Sequence, residues 1–342
     1  MALNMTYFGD CRDTMRDLKA RGVRVQCCVT SPPYYGLRDY GHPGQIGLEK
    51  TPAEYVAALV EVFDGVRELL ADDGVLWLNL GDSYAANRSY QVPSTLMNGD
   101  ATNKAQAGDG HGMKAADIGL KPKDLIGIPW RVAFALQAAG WYLRQDVIWH
   151  KPNPMPESVT DRCTKAHEYL FLLTKSERYY WDAEAMKEEA VGQNLHDLTG
   201  PGYAAPGQTP NTGNRSRRDS FKREASKRAE AIPWQTVGTH RADRAESEYD
   251  IGRRNRRSVW TVATQPYSGA HFAVFPPALI EPCILAGSRP GDVVLDPFMG
   301  SGTTAQVAQA LGRQWIGCEL NRDYKPLQDK RVSQSSLIFE AA

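Results

Sequence analysis

The run Thr30–Gly41 (TSPPYYGLRDYG) holds the residue types best suited to one particular task. In Ser31-Pro32-Pro33-Tyr34 the two prolines fix the backbone and remove N–H donors. What remains is mainly acceptors, the Ser31 hydroxyl and a proline carbonyl, beside the aromatic face of Tyr34. Two acceptors and a stacking ring suit an –NH2 group on a planar heterocycle. Such an amine is a poor nucleophile because its lone pair is delocalised into the ring. Accepting both of its N–H bonds pulls the nitrogen toward tetrahedral geometry and frees that lone pair, so positioning does most of the work. The bland alternative is a Pro-Pro loop in which Tyr34 merely packs.

A second constellation lies near the other end of the chain, in Asp296-Pro297-Phe298-Met299-Gly300-Ser301-Gly302-Thr303-Thr304. Gly300 and Gly302 allow a ligand close to the backbone. A helix starting at Thr303 presents unpaired N–H groups to negative ligand atoms. Glu319 follows Gly300 by 19 residues, placed to accept hydrogen bonds from both hydroxyls of a ribose. Gly300-Ser301-Gly302-Thr303-Thr304-Ala305 also fits the G-x-G-x-x-G/A pattern of dinucleotide-binding proteins, so the spacing alone does not choose the ligand. A P-loop is excluded, since no Gly-Lys-Ser/Thr follows.

Both constellations need strands to hold them. Residues 5–9 read as a strand ending at Gly9-Asp10, 11–21 as a short helix, and 23–30 (VRVQCCVT) as a β-rich run that stops at Ser31. Thr51-Pro52-Ala53-Glu54 has capping-box spacing with Pro at the first helical position, predicting a helix to about Leu70. Asp72-Asp73-Gly74 predicts a turn into a strand over 75–80. A helix near 124–139, a strand over 142–149 and a hairpin from 168–174 and 178–181 follow. Toward the end come a helix over 277–286 bent by Pro282, a strand over 293–296, a helix over 303–311 and a strand over 314–320. Only 23 residues follow Glu319, too few for the rest of a doubly wound sheet. The missing strands must precede, which predicts a permuted order with the first two strands last and the third leading into Gly9-Asp10.

Composition bounds the rest. The chain has 342 residues, 42% of them hydrophobic, and its 40 Lys+Arg balance its 40 Asp+Glu. Any basic surface must therefore be local. Residues 215–257 hold 13 Lys/Arg against 7 Asp/Glu, with Phe221, Trp234 and Tyr249 interleaved. Residues 84–120 are rich in Gly, Asn, Ala and Ser and predict a long mobile loop. The six cysteines form no C-x-x-C pair, so neither zinc nor a disulfide framework is expected and no metal is assigned. Cys27 and Cys28 read as small buried hydrophobes. The N-terminus lacks a secretory signature and no apolar run is long enough to span a membrane, so a cytoplasmic location is expected.

Motif pair, order and spacing resemble the β group of DNA amino-methyltransferases, in which the catalytic motif precedes the target-recognition region and the cofactor motif comes last. The resemblance covers most of 5–185 and 258–325. It implies an α/β fold, a circularly permuted Rossmann-like S-adenosylmethionine-dependent methyltransferase sheet with an inserted target-recognition region. The implied layout is 1–186 for the catalytic half, 187–262 for target recognition and 263–342 for the cofactor half. Ser31, Pro32, Pro33 and Tyr34 would hold the target base. Asp10 would meet the cofactor's adenine; Asp296, Phe298, Gly300 and Gly302 would surround its methionine part; Glu319 would bind its ribose; Pro297 and Thr303 would also bind the cofactor. His271–Pro276 (HFAVFP), with Phe275, resembles the family's additional cofactor segment. WHKPNPMPES (149–158) places Lys151 and Asn153 near the target pocket by resemblance only.

The implied partner is double-stranded DNA, whose target base must be flipped to reach such a pocket. Arg253, Arg254, Arg256 and Arg257 are the candidate DNA contacts. Ser31 resembles the cytosine-N4 members, whereas adenine-N6 members usually carry Asp or Asn there; N4-cytosine is favoured and N6-adenine is the alternative. A homodimer, a cognate restriction endonuclease and a bacterial or phage origin stay open. A cytosine-C5 enzyme would need a nucleophilic cysteine after proline, and Pro282-Cys283 falls in a predicted helix. A nicotinamide oxidoreductase and a non-catalytic DNA-binding module are the rivals from other classes.

Overall fold

The computed structural model describes residues 3–37, 39–85, 119–189, 253–265 and 275–339, with side chains to residue 333. Within these the chain forms two compact units, one of residues 1–186 and 257–342, the other of 187–256. In the first, strands β1 (Met5–Phe8), β2 (Val25–Thr30), β3 (Leu70–Leu80), β4 (Tyr142–His150), β5 (His167–Thr174), β8 (Val259–Thr261), β9 (Val293–Asp296) and β10 (Gln314–Glu319) make one eight-stranded sheet. Their order is β1-β10-β9-β2-β3-β5-β4-β8. In the second unit, β6 (Lys187–Glu189) and β7 (Arg253–Asn255) pair as an antiparallel ribbon.

β1, β10, β9, β2 and β3 all run parallel. β5 enters antiparallel to β3, and β4 antiparallel to β5. Strands from the end of the chain thus lie between β1 and β2, and the permuted order read from the motifs is the order of the sheet. The sense in which the chain winds across the sheet reverses between β9 and β2, where open α/β sheets bind their ligands.

Alternation along β2 assigns its two faces. Cys28 packs with helices α1 (Cys11–Ala20), α2 (Pro52–Leu69) and α3 (Ile128–Ala138), through residues such as Met15, Leu59 and Val132. Cys27 faces the opposite cluster with α4 (Pro277–Gly287) and α5 (Thr303–Ala310), through Leu279, Cys283 and Val307. Both cysteines are fully buried, as small hydrophobes in a strand covered on both faces. The α2 N-terminus carries the full capping box: Glu54 N–H donates to Thr51 Oγ1 at 3.2 Å, and Thr51 N–H to the Glu54 carboxylate at 3.0 Å.

Two local expectations are corrected. Asp72-Asp73-Gly74 is no turn: α2 passes straight into β3 at Leu70, and the extra residues are absorbed where the register jumps from Val25↔Leu70 to Cys27↔Val75. Gln26 fills the bulge, its Nε2 donating to Asp73 Oδ1 at 3.1 Å. Residues 178–181 form no hairpin with β5, because β5 already has strands on both sides. Instead Tyr180 N–H donates to the Asp73 carbonyl at 2.9 Å, and its ring lies under the Arg289 guanidinium. Of the loop expected over 84–120, residues 86–118 lie outside the described residues, as do 190–252 of the expected target-recognition region.

Candidate active site

β9 ends on a carboxylate with no access to water. Asp296 is 1% exposed. Its Oδ1 accepts from Thr30 Oγ1 at 2.6 Å and from Phe298 N–H at 3.0 Å, and its Oδ2 from Thr304 Oγ1 at 2.7 Å. Burial nevertheless pushes its pKa up to about 6. Asp296 therefore ties the end of β2 to both sides of the glycine loop. The loop itself turns through Gly300 (φ 53°) and Gly302 (φ 89°), a region L side chains enter at a cost.

The two glycines serve different neighbours. A Cβ on Gly302 would meet Gln328 of α6 (Lys325–Phe339) at 3.3 Å, while Gly300 lines an open cleft. Gln328 Nε2 donates to the Gly300 carbonyl at 2.8 Å, and Arg331 to the Thr303 hydroxyl. α6 braces the loop from behind.

Glu319, at the end of β10, faces the same cleft. Gly300 N–H donates to its Oε2 at 2.8 Å and Asn321 N–H to its Oε1 at 2.9 Å. Each oxygen keeps lone pairs for further donors, which fits a ligand with two adjacent hydroxyls. Burial raises its pKa. Asp10 caps α1, accepting Arg12 N–H at 2.8 Å, and both its oxygens are gripped by the Arg12 guanidinium. That pairing holds its carboxyl below the ordinary range.

Ser31-Pro32-Pro33-Tyr34 leaves β2 into this cleft, across from Pro297 and Phe298. The cleft opens to solvent and, counted to its mouth, spans about 1000 Å3. Tyr55, projecting from α2, donates its hydroxyl to the Pro33 carbonyl at 2.8 Å. The two proline carbonyls are thus not equivalent: that of Pro33 is engaged, and among the described residues no donor reaches that of Pro32. Ser31 Oγ donates to Tyr34 Oη at 3.4 Å, which leaves the serine lone pairs as acceptors. Tyr34 Oη donates to Glu168 Oε2 at 2.7 Å. The Tyr34 ring lies so close to Gly81 that an added Cβ there would sit 2.5 Å from Cε2.

Asp10, Ser31–Tyr34, Pro297, Phe298, Gly300 and Glu319 therefore share one cleft. Other assigned residues stand apart. Asp296, Gly302 and Thr303 lie behind the loop, where spacing could not tell its two sides apart. Phe275 is packed in the core with α4 and α5; residues 271–274 lie outside the described residues. Lys151 reaches the site indirectly, pairing with Glu168. Asn153 instead exchanges hydrogen bonds with the Thr264 backbone, accepting its N–H at 2.9 Å and donating to its carbonyl at 3.2 Å. In the second unit Arg254 pairs with Glu188 at 2.9 Å, beside the exposed Arg253; Arg257, in the first unit, is exposed as well. Glu168, Asn79, Tyr55, Arg12 and Gln328 were not singled out by the sequence, where they read as ordinary strand and helix residues.

A family model described as DNA methylase matches residues 25–330. The chain is 44% identical over 338 residues to the Type II methyltransferase M.XycI of Xanthomonas campestris pv. cyanopsidis, covering 98% of this chain and 90% of that protein. It is 43% identical over 324 residues to the Type II methyltransferase M.SmaI of Serratia marcescens, covering 95% and 89%. Among solved structures it resembles the PvuII DNA methyltransferase (cytosine-N4-specific) with a TM-score of 0.55 at 17% identity, covering 99% of this chain and 92% of that one. It also resembles TTHA0409 from Thermus thermophilus, solved with S-adenosyl-L-methionine, with a TM-score of 0.52 at 19% identity, covering 96% and 92%. These two likenesses speak for the fold.

Proposed function

The chain belongs to the N6/N4 DNA methylase family, and from that premise we propose that it transfers a methyl group from S-adenosylmethionine to the exocyclic amine of a flipped DNA base, N4 of cytosine. The observation that carries this reading is the convergence of Ser31–Tyr34 with Gly300 and Glu319 on one cleft. The family alone leaves cytosine and adenine open; the preference rests on Ser31, as the first residue of its motif.

Bound S-adenosylmethionine supplies an electrophilic methyl group on a sulfonium. Glu319 accepts the ribose hydroxyls with the lone pairs that Gly300 and Asn321 leave unused. Pro297 and Phe298 give the cleft an apolar wall that keeps water from the reacting atoms. Ser31 Oγ accepts one amine N–H, since its own hydrogen points to Tyr34, and the Pro32 carbonyl accepts the other. Both bonds favour a tetrahedral nitrogen and strengthen as positive charge develops on it. The methylated amine is acidic and sheds its proton readily. No ionised base is required beforehand.

Arg253, Arg254, Arg256 and Arg257 belong in this reading to the target-recognition region 187–262, where phosphate contacts give affinity and a few side chains read base edges. A cognate restriction endonuclease sharing its target sequence completes the proposal. The relatives' designation as Type II methyltransferases supports the last point.

The test is to incubate the protein with unmethylated duplex DNA and tritiated S-adenosylmethionine, digest to nucleosides and identify the labelled one. Label in N4-methylcytosine is the expected result. N6-methyladenine would overturn the base assignment and keep the mechanism. DNA binding without incorporation on DNAs of mixed sequence would favour a non-catalytic module.

A further inference from the structure

Behind the base-holding loop lies a partly buried ionic cluster that the chemistry above does not use. Tyr34 Oη meets the Glu168 carboxylate at 2.7 Å. Glu168 stands at the start of β5, where that antiparallel strand meets the ends of the strands on either side, and it is held from both. From β4's side Lys151 Nζ donates to Oε1 and lies 4.3 Å from the Trp149 ring centroid. From β3, Asn79 Nδ2 donates to Oε2 at 3.2 Å and to the Tyr169 carbonyl at 3.1 Å. Lys151 and Glu168 side chains are only 18% and 15% exposed. A half-desolvated ion pair of this kind is weak evidence for stability, since taking both charges out of water offsets much of their attraction.

We propose that Glu168, fixed by Lys151 and Asn79, is the positioning residue for Tyr34: it anchors the phenol so that the ring stays against Gly81 and presents a fixed surface to the target base. This rests on the reading of Ser31–Tyr34 as the base-holding loop. The Tyr34 ring is held by the Gly81 backbone beneath it and, at its tip, by a short charge-assisted hydrogen bond to Glu168, with Asn79 Oδ1 farther off at 3.2 Å. The prolines fix the backbone of the loop but not the tyrosine χ angles, so without the tip contact the ring has other rotamers to visit. Ser31 gains from the same anchor, because Tyr34 Oη is where its hydroxyl hydrogen points. Lys165, the other cation of this corner, donates to the Asp82 carbonyl at 3.1 Å rather than to Glu168. His167 adjoins it, and burial lowers its pKa, favouring the neutral ring. The carboxylate is thus left to Lys151, Asn79 and Tyr34.

The experiment combines a reporter that needs no DNA with a double-mutant cycle. With 3-fluorotyrosine placed at position 34, Glu168→Leu paired with Lys151→Met is expected to shift or broaden the 19F resonance, while Glu168→Gln, which keeps an acceptor, gives a smaller change. In methyl transfer, Glu168→Leu is expected to lower kcat/KM for DNA roughly 10- to 100-fold, the scale of a missing hydrogen bond to a charged group. Its affinity for S-adenosylmethionine should stay within about twofold, as no cofactor-facing group is touched. In a Tyr34→Phe background the same substitution should have almost no further effect. A full loss persisting in that background, or an unmoved 19F resonance, overturns the proposal. A shifted resonance in a protein that methylates no DNA would overturn the functional reading while the anchoring of Tyr34 stands.

Discussion

Replacing Asp296 by Asn separates the architecture of the cleft from its chemistry. The carboxylate is buried and titrates near 6 instead of 3.8, a difference of about 3 kcal/mol between its protonation states. The folded protein therefore binds this proton more tightly than the unfolded chain does. Its contribution to stability is complete below pH 3.8, declines as pH rises toward about 6 and is lost above that. Roughly 2 kcal/mol of the loss falls between pH 4 and pH 7. Asn keeps the Oδ1 acceptor used by Thr30 and Phe298, and Thr304 retains the Val29 carbonyl at 3.2 Å as an acceptor for its hydrogen. The expected result is a stability difference, variant minus wild type, that rises by about 2 kcal/mol from pH 4 to pH 7. Urea unfolding followed by tryptophan fluorescence measures it. S-adenosylmethionine affinity, by calorimetry at pH 7, should change less than a few-fold, because Asp296 does not line the cleft. A difference that is flat with pH refutes the raised pKa. A collapse of cofactor binding refutes the placement of Asp296 as a brace and returns it to the cofactor-contacting role that family resemblance implied.

Other perturbations discriminate between neighbouring residues. Gly300→Val, at φ 53° and facing the cleft, is expected to abolish detectable S-adenosylmethionine binding in calorimetry; normal affinity would remove the loop from the cofactor site. Gly302→Ala meets Gln328 and a φ of 89°, and should cost about 1–3 kcal/mol of stability in urea unfolding while the variant still binds cofactor when folded. Reversing Arg253, Arg256 and Arg257 to Glu should weaken DNA binding and lower the slope of log K against log salt by roughly one for each phosphate no longer neutralised. An unchanged slope would place the phosphate-binding residues elsewhere.

The permuted sheet was legible because its evidence is categorical: a strand, glycine loop and helix arrive with too little chain after them to finish a sheet. The capping box at Thr51 was legible for the same reason, since two side chains at fixed spacing satisfy named backbone groups. Asp72-Asp73-Gly74 misled because turn-forming residues also make bulges, and only the partner strand decides which. The cleft was readable as far as motifs reach. Gly300 and Gly302 look alike in a pattern, yet they face opposite sides of the loop. Glu168 was invisible, for HEYLFLLT reads as a strand and nothing in it announces a contact with Tyr34, 134 residues away. Asn153, placed by resemblance, exchanges hydrogen bonds with the Thr264 backbone, a contact 111 residues away that no spacing announces.

The order of strands also sets a schedule for synthesis. β2, buried along its whole length, pairs on one side with β3, which is made soon after it, and on the other with β9, which begins at Val293. At about 5–20 residues per second, the ribosome leaves that second edge open for some tens of seconds, and β1 waits even longer for β10. A nascent chain in this interval carries an apolar, unpaired strand edge, the kind of surface on which chains pair with one another. Chains truncated before Val293 are expected to aggregate, the cellular counterpart of a sheet whose central partner is translated late.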